Sequence, residues 1–266
     1  MRFYAQHFDT VEVDSTYYAL PAERNAVLWA ERTPEGFHFN IKAYALLTQH
    51  PAEMRALPAP LKALLSAEAL RQPRLSHPPE RLLELSFEMF RGALAPLRNA
   101  GRLGCILFQF PPWFVASAAH EAYIDFCRAR LPNDQLAIEF RHTSWFNGHG
   151  ARTLDFLTER GLSLVCVDAP EAPSIVRPPF LATAAIAYVR LHGRNRRAWF
   201  QHAASAAQRF KYLYSDRELH DCAAAIQGLR STRPGVEPRV AYVIFNNCYA
   251  DYGVRNAVTM RQLLRS

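Results

Sequence analysis

Seven separate stretches of this chain read as strands, several of them by period-two alternation of hydrophobic and polar residues, and between most of them the apolar spacing lengthens to that of a helix. The most informative stretch is Leu136-Ala137-Ile138-Glu139-Phe140-Arg141. Ala137, Glu139 and Arg141 share one parity; Ile138 and Phe140 share the other. Successive side chains of a strand point to opposite faces, so one face here is apolar and the other turns from small to charged along the strand. The same reading predicts strands over 10–15, 37–42, 104–110, 162–168, 185–193 and 240–247. Stretch 104–110 is nearly all apolar, as buried parallel strands are.

Helical spacing fills most of the intervals. Tyr4–Phe8 reads as the tail of a helix. Pro21 opens a helix whose stripe is Ala22, Ala26, Trp29 and Ala30, and Pro34 stops it. Residues 51–100 carry seven prolines, which predicts a proline-rich insertion with one helix near 80–95 built on Leu83, Phe87, Phe90 and Leu94. Ala119, Tyr123, Phe126, Cys127 and Leu131 mark the next helix, and another spans 150–160 before Gly161. A proline-rich loop at 170–180 replaces a helix. The long segment 194–235 has helical character around Leu219–Leu229, and Val254, Ala257 and Val258 begin a closing helix.

Strands alternating with helices predict a parallel sheet covered by helices, an α/β fold. A doubly wound sheet would place a glycine-rich phosphate turn after its first strand, and none is present. The better fit is a (β/α)8 TIM-type barrel forming one domain over 1–266, with seven strands visible and the first missing.

Composition narrows the setting. At 266 residues and 50% hydrophobic the chain can fill such a core. No run of 18 apolar residues exists, so no membrane span is expected. The start, Met1 to His7, is too short and polar for a signal peptide. Five widely spaced cysteines form no C-x-x-C pair; free thiols and a cytoplasmic location are the expectation. The net charge of +7 permits attraction to nucleic acid or other anions, with Arg194-Asn195-Arg196-Arg197 the densest basic run. A solubilising excess of arginine accounts for the same number.

The polar residues near the strand ends carry the chemistry. The inward parity gives Glu12 and Asp14, then Lys42, Gln109, Glu139 and Arg141, Asp168, Arg190 and His192, and Asn246. In a barrel these ends form one mouth, where active sites lie. Uncompensated burial costs roughly 2–7 kcal/mol per polar group, so a core has little reason to collect so many. Glu139, Glu12, His192 and Asp168 are the candidate catalytic groups: Glu139 as acid/base or ligand, Glu12 as second carboxylate, His192 as proton shuttle. Lys42, Arg141 and Arg190 would clamp an anion or stabilise developing negative charge. Gln109 and Asn246 would orient substrate. His142, Asn247, Trp113 and Trp145 lie just past strand ends as pocket walls, His142 and Asn247 as substrate-binding candidates, with ordinary loop packing the alternative for the two tryptophans. Arg194, with Arg196 and Arg197, occupies the loop where barrels often hold phosphate. The competing structural reading is an ion-pair network, for example Glu139 with Arg190.

Glu12, Glu139, Asp168 and His192 would also suit a divalent metal ion. The three interleaved cations argue against one, and no H-E-x-x-H or similar spacing is present, so no cofactor is predicted, with a divalent metal kept as the alternative.

The segments FDTVEVDSTYYALP, FHFNIKAYALLTQHP, LGCILFQFPPWF, LAIEFRHTSWF, YVRLHGR and AYVIFNN together resemble the YecE-like, domain-of-unknown-function 72 family, in order and over nearly the whole chain. The resemblance implies a TIM-type barrel with a polar pocket at the strand ends and no established activity. Its recurring polar positions correspond to Glu12, Lys42, Gln109, Glu139, Arg141, His142, Asp168, Arg190, His192, Asn246 and Asn247. Members usually begin with a further strand bearing a Gly-Thr-Ser-Gly-like segment, which this chain lacks.

The functional expectation is a hydrolase acting by acid/base chemistry on a phosphate-bearing or other anionic substrate, with nucleic acid one such substrate. A sugar- or glycoside-active enzyme with paired carboxylates, with or without a metal, is the alternative enzyme class. A non-catalytic binding protein is the third reading.

Overall fold

The computed structural model describes residues 1–172, 174–201, 206–232 and 237–265. Seven parallel strands with helices between them give the expected α/β fold of the barrel class. They are β1 (Thr10–Val13), β2 (His38–Lys42), β3 (Leu103–Gln109), β4 (Gln135–Glu139), β5 (Ser163–Asp168), β6 (Ile186–Leu191) and β7 (Val240–Phe245). The longer helices are α1 (Glu23–Glu31), α2 (Glu80–Ala93), α3 (Ala118–Arg130), α4 (Gly150–Glu159), α5 (Asp216–Gln227) and α6 (Tyr252–Arg265). Among the described residues no helix is long and apolar enough to cross a membrane.

The chain divides into two compact units, Met1–Ile138 and Glu139–Ser266. In the first, β2 pairs in parallel with β1 (Thr10 opposite His38) and with β3, where the register shifts between Phe39 and Ile41. Buried Asn40 spans this irregularity. Its Oδ1 accepts from the Cys105 amide at 2.8 Å and its Nδ2 donates to Thr10 Oγ1 at 2.9 Å, so a side chain satisfies what the interrupted ladder leaves over. The apolar parity of these strands (Phe39, Ile41, Ile106, Phe108) is fully buried. Trp29 of α1 stacks on Phe39, which is how the stripe read from the sequence docks that helix.

Several boundaries differ from the sequence reading, two of them near the start of the chain. Pro21 precedes the helix rather than opening it, because Ala22 is the extended N-cap of α1. Asp14 and Ser15 leave the first strand, and Ser15–Tyr18 forms a short helical turn. Residues 51–100 hold a two-residue antiparallel pair (Ala52–Glu53 with Arg74–Leu75), short helical turns and α2.

In the second unit β6 lies between β5 and β7, parallel to both, with Val165 opposite Tyr188 and Val240 opposite Ile186. Val189, Leu191, Leu219, Cys222, Ile226 and Met260 make the core between this sheet and helices α5 and α6. Four of the free cysteines are buried and Cys248 is exposed. Burial pushes the Cys166 thiol up to about 12, so it behaves as a small apolar group. Of the segment 194–235, residues 202–205 and 233–235 lie outside the described residues, as does Pro173 of the 170–180 loop.

Candidate functional site

The polar residues gather at strand ends, and several sit one or two positions beyond the strands themselves. β4 stops at Glu139, β6 at Leu191 and β7 at Phe245, so Arg141, His192 and Asn246 lie on the chain just after the ladders. Backbone bonds still fix them: the His192 amide donates to Asp168 O at 2.9 Å and the Asn246 amide to Leu191 O at 2.8 Å.

Glu139 is the hub. Its side chain is fully buried, with Arg190 Nη1 donating to Oε2 at 2.6 Å and Arg141 Nε to Oε1 at 2.6 Å. His192 Nε2 lies 3.4 Å from the same Oε1. Asn246 Nδ2 donates to His192 Nδ1 at 3.0 Å. That bond leaves the ring hydrogen on Nε2, facing the carboxylate. Arg190 and His192 are as inaccessible as Glu139, whereas 28% of the Arg141 side chain is open to solvent.

The electrostatics follow from these contacts. Burial alone pushes the Glu139 carboxyl up, but the adjoining guanidinium groups of Arg141 and Arg190, with the hydrogen bond from His192, hold it well below the usual carboxylate range. Burial pushes His192 down to about 4, against the pull of Glu139. At neutral pH the cluster is therefore an ionised carboxylate, two guanidinium groups and a neutral imidazole. Trp199 and Phe210 place their rings 6.2 Å from the His192 ring and 6.0 Å from each other.

Asp168 belongs to a different network. Arg194 grips it with Nη2 at 2.7 Å from Oδ2 and Nε at 3.0 Å from Oδ1. The Tyr214 hydroxyl donates to Oδ1 at 2.7 Å and accepts from the Gly193 amide at 2.8 Å. Arg194 also reaches Glu218 at 3.3 Å, and Glu218 closes a capping box with Ser215 at the start of α5. Burial, then Asp168, pushes the Tyr214 hydroxyl far up, so it stays a donor. Gly193 has φ +85°, and a Cβ there would sit 2.6 Å from Tyr212 Cβ; only glycine fits. Asn247, also buried, donates through Nδ2 to Asn256 Oδ1 and to Tyr212 O, both at 2.9 Å.

The remaining candidates are described within their own units. His142 Nδ1 accepts from the Ser144 amide at 3.1 Å, capping a short turn. Trp145 is buried and stacks on Phe140, while Trp113 is 56% exposed. In the first unit Lys42 pairs with Asp14 at 3.2 Å, and Glu12 on β1 and Gln109 at the end of β3 are half-buried. Among the described residues no group of three or more His, Cys, Asp or Glu side chains is placed to hold a metal ion.

Sequence reasoning missed Tyr212, Tyr214, Glu218 and Asn256, together with Trp199 and Phe210. One signal was available: Ser215-x-x-Glu218 before an apolar helical stripe is a capping-box pattern. It marks where α5 begins, though not what Glu218 touches.

Parallel strands with charged and amide side chains at their ends define the chain as an α/β protein of the barrel class with a polar strand-end site. It belongs to the DUF72 family ("Protein of unknown function DUF72"), which matches residues 1–266. The UPF0759 protein YunF of Bacillus subtilis (strain 168) is 29% identical, over 99% of this chain and 86% of that protein. A crystal structure of a DUF72 family protein from Enterococcus faecalis V583 superposes with a TM-score of 0.81 at 26% identity, covering 100% of this chain and 88% of the other. One from Thermotoga maritima MSB8 gives 0.73 at 28% identity, covering 97% and 85%.

Proposed function

We propose that this protein is an enzyme that hydrolyses a phosphate-bearing or otherwise anionic small molecule, with the Glu139 cluster as its anion-handling centre. The observation that carries this reading is Arg141. Its Nε is fixed by a fully buried carboxylate at 2.6 Å, while 28% of the side chain as a whole is open to solvent. A cation held rigidly at a strand end stabilises negative charge as it develops and needs no reorganisation to do so. Arg190, buried behind the same carboxylate, adds to that field. His192 keeps a neutral imidazole in contact with Glu139 and Asn246, so any proton relay runs along that line. Because Glu139 stays ionised at neutral pH, electrostatic stabilisation carries the larger share and proton transfer the smaller. Glycoside hydrolysis by paired carboxylates needs one carboxyl raised and protonated; the two guanidinium groups drive Glu139 the other way, which favours the anionic substrate.

Titration calorimetry with inorganic phosphate, and turnover of a panel of phosphate monoesters, test this reading. The expected result is phosphate binding that weakens roughly ten- to a hundredfold in Arg141→Gln, from the loss of charge-assisted hydrogen bonds, with turnover lost alongside. Equal phosphate affinity in wild type and Arg141→Gln would overturn it. Binding without turnover of any ester would leave a binding protein in place of a hydrolase.

A further inference from the structure

Positive charge is concentrated in one stretch. Residues 194–214 contain five basic residues (Arg194, Arg196, Arg197, Arg209, Lys211) and no Asp or Glu, so they carry +5 of the chain's net +7. Arg194 is matched by Asp168 and Glu218. The other four are exposed, and none forms an ion pair among the described residues.

The fold gathers these four although they are separated in sequence. Asn195 Nδ2 donates to Lys211 O at 3.0 Å and Gln208 O at 3.3 Å, while its Oδ1 accepts from the Ala198 amide at 3.2 Å. One side chain thus ties the turn Arg196–Trp199 to the turn Ala206–Arg209, and the two pack together. The turn that carries Arg196 and Arg197 is thereby held against the one that carries Arg209, with Lys211 two residues further on. Phe200, which follows the first of these turns, is 47% exposed. Lys211 Nζ sits 4.5 Å from the Tyr249 ring centroid.

We propose that the surface formed by Arg196, Arg197, Phe200, Arg209 and Lys211 binds single-stranded nucleic acid, the cations taking backbone phosphates and Phe200 stacking on an unpaired base. A stretch with five basic residues and no Asp or Glu matches a polyanion, and an exposed ring on the same stretch matches a base with a free face. A duplex offers no such face. An anionic membrane would call for an amphipathic helix with a continuous apolar side, whereas the described elements here are single helical turns. The inference goes beyond the small-anion reading of the Glu139 cluster and stands without it.

Fluorescence anisotropy of the full chain with a labelled single strand of about 12 nucleotides tests the proposal, with the corresponding duplex, heparin and phosphatidylserine vesicles as comparison ligands. The single strand should bind with a log–log salt slope of about −3, as expected for four neutralised phosphates. The slope should fall toward zero in the combined variant Arg196→Gln, Arg197→Gln, Arg209→Gln, Lys211→Gln. Phe200→Ala should weaken the single strand roughly tenfold and leave the duplex unchanged. No binding at low salt overturns the proposal. So does single strand, duplex and heparin binding alike with no effect of Phe200→Ala, which is general polyanion adsorption; so does capture by vesicles in place of oligonucleotide. Arg141→Gln is run alongside: loss of its phosphate phenotype bears on the Glu139 reading alone, since Arg141 is outside this surface.

Discussion

Glu139 and Asp168 invite comparison. Both are buried carboxylates at the last position of a β-strand, and both are gripped by arginine. They differ in what their partners hold at the other end. Asp168 is knitted into backbone: Tyr214 takes the Gly193 amide, and Arg194 leads to Glu218 and the cap of α5. Glu139 is knitted to side chains that are themselves chemically capable, two guanidinium groups and an imidazole, one of them open to solvent. The first arrangement fastens loops; the second stores oriented charge. A buried ion pair is therefore read by following each partner outward and asking whether it ends on the chain or in a space a ligand could reach.

The comparison is broken most sharply by removing each carboxylate. Glu139→Gln leaves Arg190 buried without its counter-charge, and urea unfolding should show a loss of about 3–5 kcal/mol. Asp168→Asn should lose less, about 1–3 kcal/mol, because Arg194 is partly exposed and retains Glu218. Equal losses would mean that both clusters are structural. Glu139→Gln combined with Arg190→Met should recover most of the stability without recovering anion affinity.

Acid separates the clusters next. His192 titrates near 4 in the fold and near 6.5 when unfolded. The unfolded chain thus takes up its proton first as pH drops. Stability from this group is full above about pH 6.5 and is lost progressively as pH falls to about 4, by on the order of 3 kcal/mol. Burial of the neutral ring is the cause, so His192→Gln should flatten unfolding free energy across that window, while Tyr214→Phe, whose hydroxyl stays protonated there, should leave its slope intact.

The smallest effect sharpens the assignment of the second cluster. Tyr214→Phe strips the buried Gly193 amide of its acceptor and should cost about 1–3 kcal/mol in unfolding. Phosphate affinity, measured well below the melting transition, should change by no more than about twofold. A large loss of affinity in that variant would place Asp168 and Tyr214 within the anion site.

The strands and the Glu139 cluster were legible because both rest on parity. Period-two alternation placed Glu139, Arg141, Arg190 and His192 on charged faces, and strand ends supplied the common rim. Parity says which way a residue points and at which end it lies; it does not choose a partner. Asp168 shares both properties with Glu139, so the sequence put them in one constellation. What separates them is Tyr214, 46 positions away, and Glu218, in a segment with no strand periodicity to announce it. Arg194 was expected at substrate for the same reason: its basic neighbours are visible in the sequence, and the carboxylates that claim it are not.

His192, Gly193 and Arg194 are consecutive, yet the first faces one cluster and the last the other. The residue between them admits no side chain. Anyone reshaping this pocket, by grafting the following loop from a relative or by directed evolution, is bound to treat the tripeptide as indivisible. Variants that respect the missing Cβ keep the join between the two clusters; those that do not will disturb both ends together, and their phenotypes will not distinguish chemistry from scaffold.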